Sequence, residues 1–187
     1  MPDSRNVTAG KPKVGGAIFV APVGTPLPTD VTTALNAAFK DLGYVSDSGV
    51  TNGTSLESKT IKAWGGDNVL NIQTSKDDTY KFTLIEILNE FVLKLVYGSD
   101  NVSGDLDNGL SIAINNNELD EVSIVIDTIL RGGVLKRSVV PIGKVSNVGD
   151  IVYNDSDPVG YETTLTCTAD SSGNTHYEYM KKVNISA

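Results

Sequence analysis

The sequence predicts a mostly β fold with one α-helix near residues 86–97 and a candidate short helix near 30–38. Three observations carry this reading. Val, Ile and Thr make up 51 of the 187 residues, and these side chains fit the pleated surface of a sheet. Gly (18) and Asn (15) are numerous enough to supply many turns. Spaced apolar runs bring the hydrophobic content to 40%, too much for a disordered chain.

At about 150 residues per domain the length corresponds to one domain, and such a chain buries a core without disulfides or a structural metal. Residues 1–14 are polar and aperiodic and read as an N-terminal arm, leaving 15–187 as a single β domain. Ala17–Ala21 is a short strand stopped by Pro22, and Pro26 and Pro28 extend the loop after it. Thr29 or Asp30 could cap a short helix through Ala38, with Val31, Leu35 and Ala38 on one face. Residues 43–54, with three glycines, read as loop.

A meander follows. Thr54–Ala63 is a mostly polar strand, Trp64–Asn68 a hairpin turn, and Val69–Ser75 the return strand. Lys76-Asp77-Asp78 reads as a second turn before the strand Thr79–Ile85. The apolar period then changes from two to 3.6. From Glu86 to Tyr97, Ile87, Leu88, Phe91, Val92 and Leu95 form a helical stripe, and Gly98 is a natural terminator. Ser99–Gly109 is an acidic loop and Leu110–Ile114 a strand. Val122–Leu130 is apolar enough to be a central strand buried on both faces. Arg131-Gly132-Gly133 turns into a strand from Val134, and strands near 159–169 and 176–183 close the chain.

Composition also excludes functions. One cysteine, Cys167, cannot form an internal bridge, and one histidine, His176, removes multi-histidine metal sites. Cys167 and His176 flank the 170–174 turn, so Cys–His chemistry is geometrically open. A buried Cys beside an exposed His is the plainer alternative. Asp105–Gly109 resembles the start of a calcium loop, but its twelfth position is Asn116, which cannot supply the bidentate carboxylate. There is no phosphate-binding or dinucleotide fingerprint. No cofactor, metal or catalytic residue is expected, and the chain reads as a non-enzyme. No apolar run reaches the ~18 residues of a membrane helix. The first residues lack a signal-peptide pattern, so a soluble, cytosolic chain is expected. The net charge of −8 argues against a general grip on DNA.

The charges are unevenly placed. Residues 95–130 carry seven acids, Asp120 and Glu121 among them, and no Lys or Arg. Residues 131–145 carry Arg131, Lys136, Arg137 and Lys144 and no acid. These are either two solvated faces of one hairpin region or an acidic surface that meets a basic surface on the next copy, a contact that can close a ring. Trp64, at a turn tip, either covers a core edge or makes an exposed contact.

The order of parts is similar to a known family. It runs from the strand and proline loop Ala17–Pro28 to the polar hairpin Thr54–Ser75, then to Tyr80–Asn89, where a strand leads straight into a helix. Val148–Tyr153, Asp157–Glu162 and Gly173–Tyr179 complete the set. Together these resemble the major tail proteins, or tail tube proteins, of long non-contractile-tailed bacteriophages, over most of residues 15–183. The resemblance implies an antiparallel β-sandwich or half-barrel protomer with a flanking helix, and hexameric rings of it stacked into a tube that conducts the genome. It also implies a place in the virion tail, assembly in the host cytoplasm, and partners limited to itself and other tail components, with DNA in transit and no membrane. A β-sandwich binding module, for example for carbohydrate, and a tube-forming secretion-system protein are the rival readings. A binding module usually shows an aromatic platform, and aromatics are only 6% here.

Period two then assigns candidate faces. Asn71, Gln73, Ser75, Lys81 and Thr83 are the candidate lumen-facing residues, with Leu70, Ile72, Phe82 and Leu84 pointing into the sandwich. Lys81 would attract DNA unless Asp77 or Asp78 offsets it; otherwise the 122–130 strand lies nearer the channel. Trp64, Asp120, Glu121, Arg131, Lys136 and Arg137 are the candidate inter-subunit residues.

Overall fold

The apolar run Val122–Leu130 becomes the centre of the molecule. The computed structural model describes residues 1–13 and 16–183. The expected boundary between residues 14 and 15, and the last four residues of the expected domain, lie outside the described residues. In chain order the elements are β1 (Gly10–Pro12), β2 (Ile18–Pro22), β3 (Lys40–Asp41), β4 (Val45–Lys62), β5 (Asn68–Leu84), α1 (Glu90–Tyr97), β6 (Val102–Asp105), β7 (Gly109–Ile112), β8 (Val122–Leu130), β9 (Val134–Val148), β10 (Tyr161–Thr168) and β11 (Tyr177–Lys182). The mostly β class holds. Its form is one nine-stranded antiparallel sheet, β3-β2-β8-β9-β10-β5-β4, with β1 added to β8 and β11 to β9. β6 and β7 make a separate two-stranded ribbon.

β8 is apolar on both faces because both are covered. Ile124 and Ile126 join the larger core, where Val92, Leu93, Leu95 and Val96 of α1 pack over Tyr80, Phe82, Leu84, Val140 and Leu165. Val125 and its cross-strand partner Val139 face the other way, against Ala21 and Phe39, with Leu27, Leu35 and Tyr177 around them. The chain between β2 and β3 thus lies over the second face. Away from this centre the sheet is covered once only. β10 alternates buried Tyr161, Thr163, Leu165 and Cys167 with partly exposed Glu162, Thr164 and Thr166.

Several local expectations are corrected. No helix forms at 30–38. Asp30 instead accepts the Thr32 and Thr33 amides, each at 2.6 Å, in a tight side-chain turn. The carbonyls of Asp30 and Thr33 accept hydrogen bonds from the Arg137 guanidinium, at 3.0 and 2.8 Å. A helix would need those carbonyls for its own amides. The real helix begins at Glu90 rather than Glu86. Asn89 caps it, its side chain accepting the Phe91 amide at 3.0 Å. Glu86 is used elsewhere: its carboxylate accepts the Tyr44 amide at 2.9 Å and lies over Gly43, where any Cβ would collide with it. Residues 45–54 are strand, not loop, and there is no turn at 76–78, because β5 runs straight through. Part of the acidic loop, 102–105, pairs with 109–112.

Arg137 is the largest fully buried side chain, 2% exposed. Its guanidinium makes a two-pronged ion pair with Asp127 on the neighbouring strand, Nε–Oδ1 2.6 Å and Nη2–Oδ2 2.8 Å. Lys13, just after β1, reaches the same carboxylate at 3.3 Å. One buried pair therefore ties the central hairpin to the β2–β3 loop and to the N-terminal segment. Arg137→Leu leaves Asp127 without its main buried partner and is expected to cost about 3–5 kcal/mol. Arg137→Leu combined with Asp127→Leu should recover about half of that, because neither charge is then left alone. Denaturant unfolding of the three proteins checks this, and an equal loss in the single and double variants would contradict it.

Candidate assembly surface

β4 and β5 form a ribbon of which only the base belongs to the sheet. β10 pairs with β5 as far as Cys167 opposite Asp78. Beyond that point the ribbon continues to the Ala63–Asp67 turn, and among the described residues no strand lies on either side of it. It carries apolar side chains into solvent: Trp64 is fully exposed at the turn, and Leu56, Ile61, Val69, Leu70 and Ile72 are each at least 40% exposed. The turn is closed by the Ala63 amide on the Asp67 carbonyl at 2.8 Å, and Gly65 and Gly66 both have positive φ.

A register shift divides the arm. Glu57 lies opposite Ser75, but Ser58 lies opposite Gln73, which leaves Thr74 without a partner. One extra residue reverses the alternation of the strand that contains it. Leu70 and Ile72, opposite Ile61 and Lys59, therefore share the side of Ser75 and Lys81, and Asn71 and Gln73 that of Asp78 and Phe82. The expectation that Leu70 and Ile72 point into the core with Phe82 and Leu84 is corrected: Phe82 and Leu84 are buried, and Leu70 and Ile72 are exposed.

The root of the arm is a buried polar knot. Asp78 is 0% exposed. It accepts hydrogen bonds from Thr175 at 2.5 Å and Thr54 at 2.6 Å, with Lys76 Nζ at 3.6 Å and His176 Nδ1 at 4.0 Å. The Thr175 and Thr54 hydroxyls hold its carboxyl below the usual carboxylate range, although burial pulls the other way. The knot joins β4, β5 and the segment between β10 and β11. The sequence signal for it was present: Asp78 is in phase with Tyr80, Phe82 and Leu84 at period two, which marks it as facing inward.

Opposite the core, β9, β10 and β5 present a wet face rich in hydroxyls. Lys81 lies opposite Thr164, Thr83 opposite Glu162 and Thr79 opposite Thr166. Thr166 donates to Ser146 at 2.9 Å. The Lys81 ammonium is offset by Glu162 at 2.9 Å rather than by Asp77 or Asp78.

The six candidate inter-subunit residues are not brought together. Asp120 and Glu121 are exposed just before β8, and Arg131 is exposed just after it, at the opposite end of the strand. Lys136 pairs with Glu178 at 2.6 Å. Arg137 is removed from the surface altogether, because its donors are spent inside the chain. Cys167 is buried, and burial pushes its thiol up to about 12, so it is no thiolate at neutral pH. Among the described residues no group of three or more His, Cys, Asp or Glu could hold a metal, and no helix is long and apolar enough to cross a membrane.

A family model described as phage tail tube protein matches residues 2–186. No curated protein matches the chain.

Two outcomes follow from the arm and its root. Ile72→Asp and Gln73→Asp should both fold, each changing stability by no more than about 0.5 kcal/mol, whereas Phe82→Asp should prevent folding; an unfolded Ile72→Asp protein would restore the inward assignment. The lowered Asp78 carboxyl contributes stability that is present above the unfolded carboxylate value of about 3.9 and lost as pH falls through the lower folded value. Stability measured from pH 6 downward should therefore fall less steeply in Asp78→Asn than in the parent chain.

Proposed function

This chain belongs to the phage tail tube protein family, and from that premise we propose that it forms hexameric rings which stack into a tube and give the genome a conduit. The family is a structural component of the phage tail. The observation that carries the finer reading is a sheet with a wet face and open edges. Among the described residues β4 is unpaired along its outer side from Val45 to Lys62, and β3 ends the sheet on the other side. Exposed edges of this length invite pairing with another chain. Six copies joined edge to edge would leave no open edge and make one barrel wall.

In that arrangement the wet face lines the channel, with Lys81 and Thr83 on it; Ser75 shares that side of β5, but its hydroxyl oxygen is buried in the protomer. Asn71 and Gln73 travel with the arm. Hydroxyls and a neutralised Lys81–Glu162 pair offer phosphate no net attraction, and a chain of net charge −8 repels it. DNA then slides without being held. The arm, with Trp64 at its tip, buries its apolar residues against a neighbouring copy. The N-terminal segment 1–14 acts as a second, smaller arm on a single domain over 15–187. Assembly takes place in the host cytoplasm, with other tail components starting and ending the tube.

Electron microscopy of concentrated protein should show rings or tubes, and amide exchange over residues 56–72 should slow on assembly. A chain that stays monomeric at millimolar concentration across salt conditions would overturn the reading. Equal exchange of 56–72 in monomer and tube would remove the arm from the contacts.

A further inference from the structure

Strand register gives the sheet two ends of opposite charge. At one end Leu130 lies opposite both Val134 and Gly10, and Lys182 lies opposite Val134. Lys11, Arg131, Lys181 and Lys182 gather there, all exposed. None of them takes part in an ion pair among the described residues. The segments that form this end, 7–13, 128–137 and 179–183, contain no Asp or Glu. At the other end Val122 lies opposite Gly143 and Pro22, and Thr163 opposite Val148. Asp120 and Glu121 lead into β8 there and Asp150 follows β9, all exposed. Residues 145–164 contain no Lys or Arg, and Lys144 of β9 and Lys81 of β5, near this end, are paired with Glu118 and Glu162.

We propose that the acidic end of one copy meets the basic end of the next, so that this charge pair is the contact between stacked rings. The inference rests on the ring-and-tube reading above and adds which surfaces face along the axis. A patch at one end of a strand and its complement at the other end join copies head to tail in one orientation, and such a contact repeats without closing. The sheet edges, which lie at right angles to it, are left for contacts within a ring. Val152 and Tyr153 beside Asp150, 61% and 74% exposed, and Met180 beside Lys181, 59% exposed, supply apolar area to exclude water around the charges. Opposite charges that meet across a contact also fix polarity, because an inverted copy would set like against like.

The test reverses each end separately and then both together in the full chain. Lys181→Glu with Lys182→Glu, or Asp120→Lys with Glu121→Lys, should each lower the fraction of protein sedimenting as tubes by about tenfold or more, while thermal unfolding of the protomer stays unchanged. The fourfold variant reverses both ends, so each contact is complementary again, and tube yield should return to within about twofold of the parent. Single rings surviving in the two-residue variants would support an axial contact. Tubes indifferent to reversal, or a fourfold variant no better than either half, would overturn this inference and leave the tube reading intact. A parent chain that forms neither rings nor tubes would overturn both.

Discussion

The central hairpin of β8 and β9 must be covered on both faces, and the rest of the molecule follows from how that is done. α1 covers one face with four buried side chains. The β2–β3 loop covers the other, carrying Phe39, Leu35 and Leu27. A loop offers its carbonyls to whatever lies beneath it, and here that is Arg137. The guanidinium satisfies two loop carbonyls and Asp127 together. Desolvating such a pair offsets much of its attraction. What it contributes is geometry, because a planar fork of donors accepts only one placement of its partners.

Moving away from that hairpin, the sheet loses its second cover. β10 and β5 bury one side chain in two and wet the other, and β4 presents a bare edge. This asymmetry separates a protein that stands alone from one that completes itself with copies. The free ribbon goes further, because it exposes several large apolar residues with nothing among the described residues to set against them. Large apolar side chains gathered on a ribbon in water mark an interaction site. The Asp78 knot anchors the ribbon at the point where β10 stops pairing with it, so the arm is anchored at its base and bare at its tip.

Much of this was legible in the residues themselves. β-Branched content and turn spacing determine a mostly antiparallel chain, since those side chains fit a pleat and not a helical face. The unbroken apolar run 122–130 determines a central strand, because nothing but burial on both sides accommodates it. The 3.6-residue stripe before Gly98 determines α1, and the order of hairpins is enough to place the chain among phage tail tube proteins. The tertiary structure decided the rest, for reasons that are not local. Asp30 starts a turn rather than a helix because Arg137, more than 100 residues later, takes the carbonyls. Lys76-Asp77-Asp78 has turn chemistry, yet it stays extended because Thr54 and Thr175 wait for the carboxylate. Thr74 is unremarkable in sequence, and only the pairing of β4 with β5 makes it the extra residue that turns Leu70 and Ile72 away from the core side. A hydrogen-bond partner or a register is a property of two segments at once, and neither segment carries it alone.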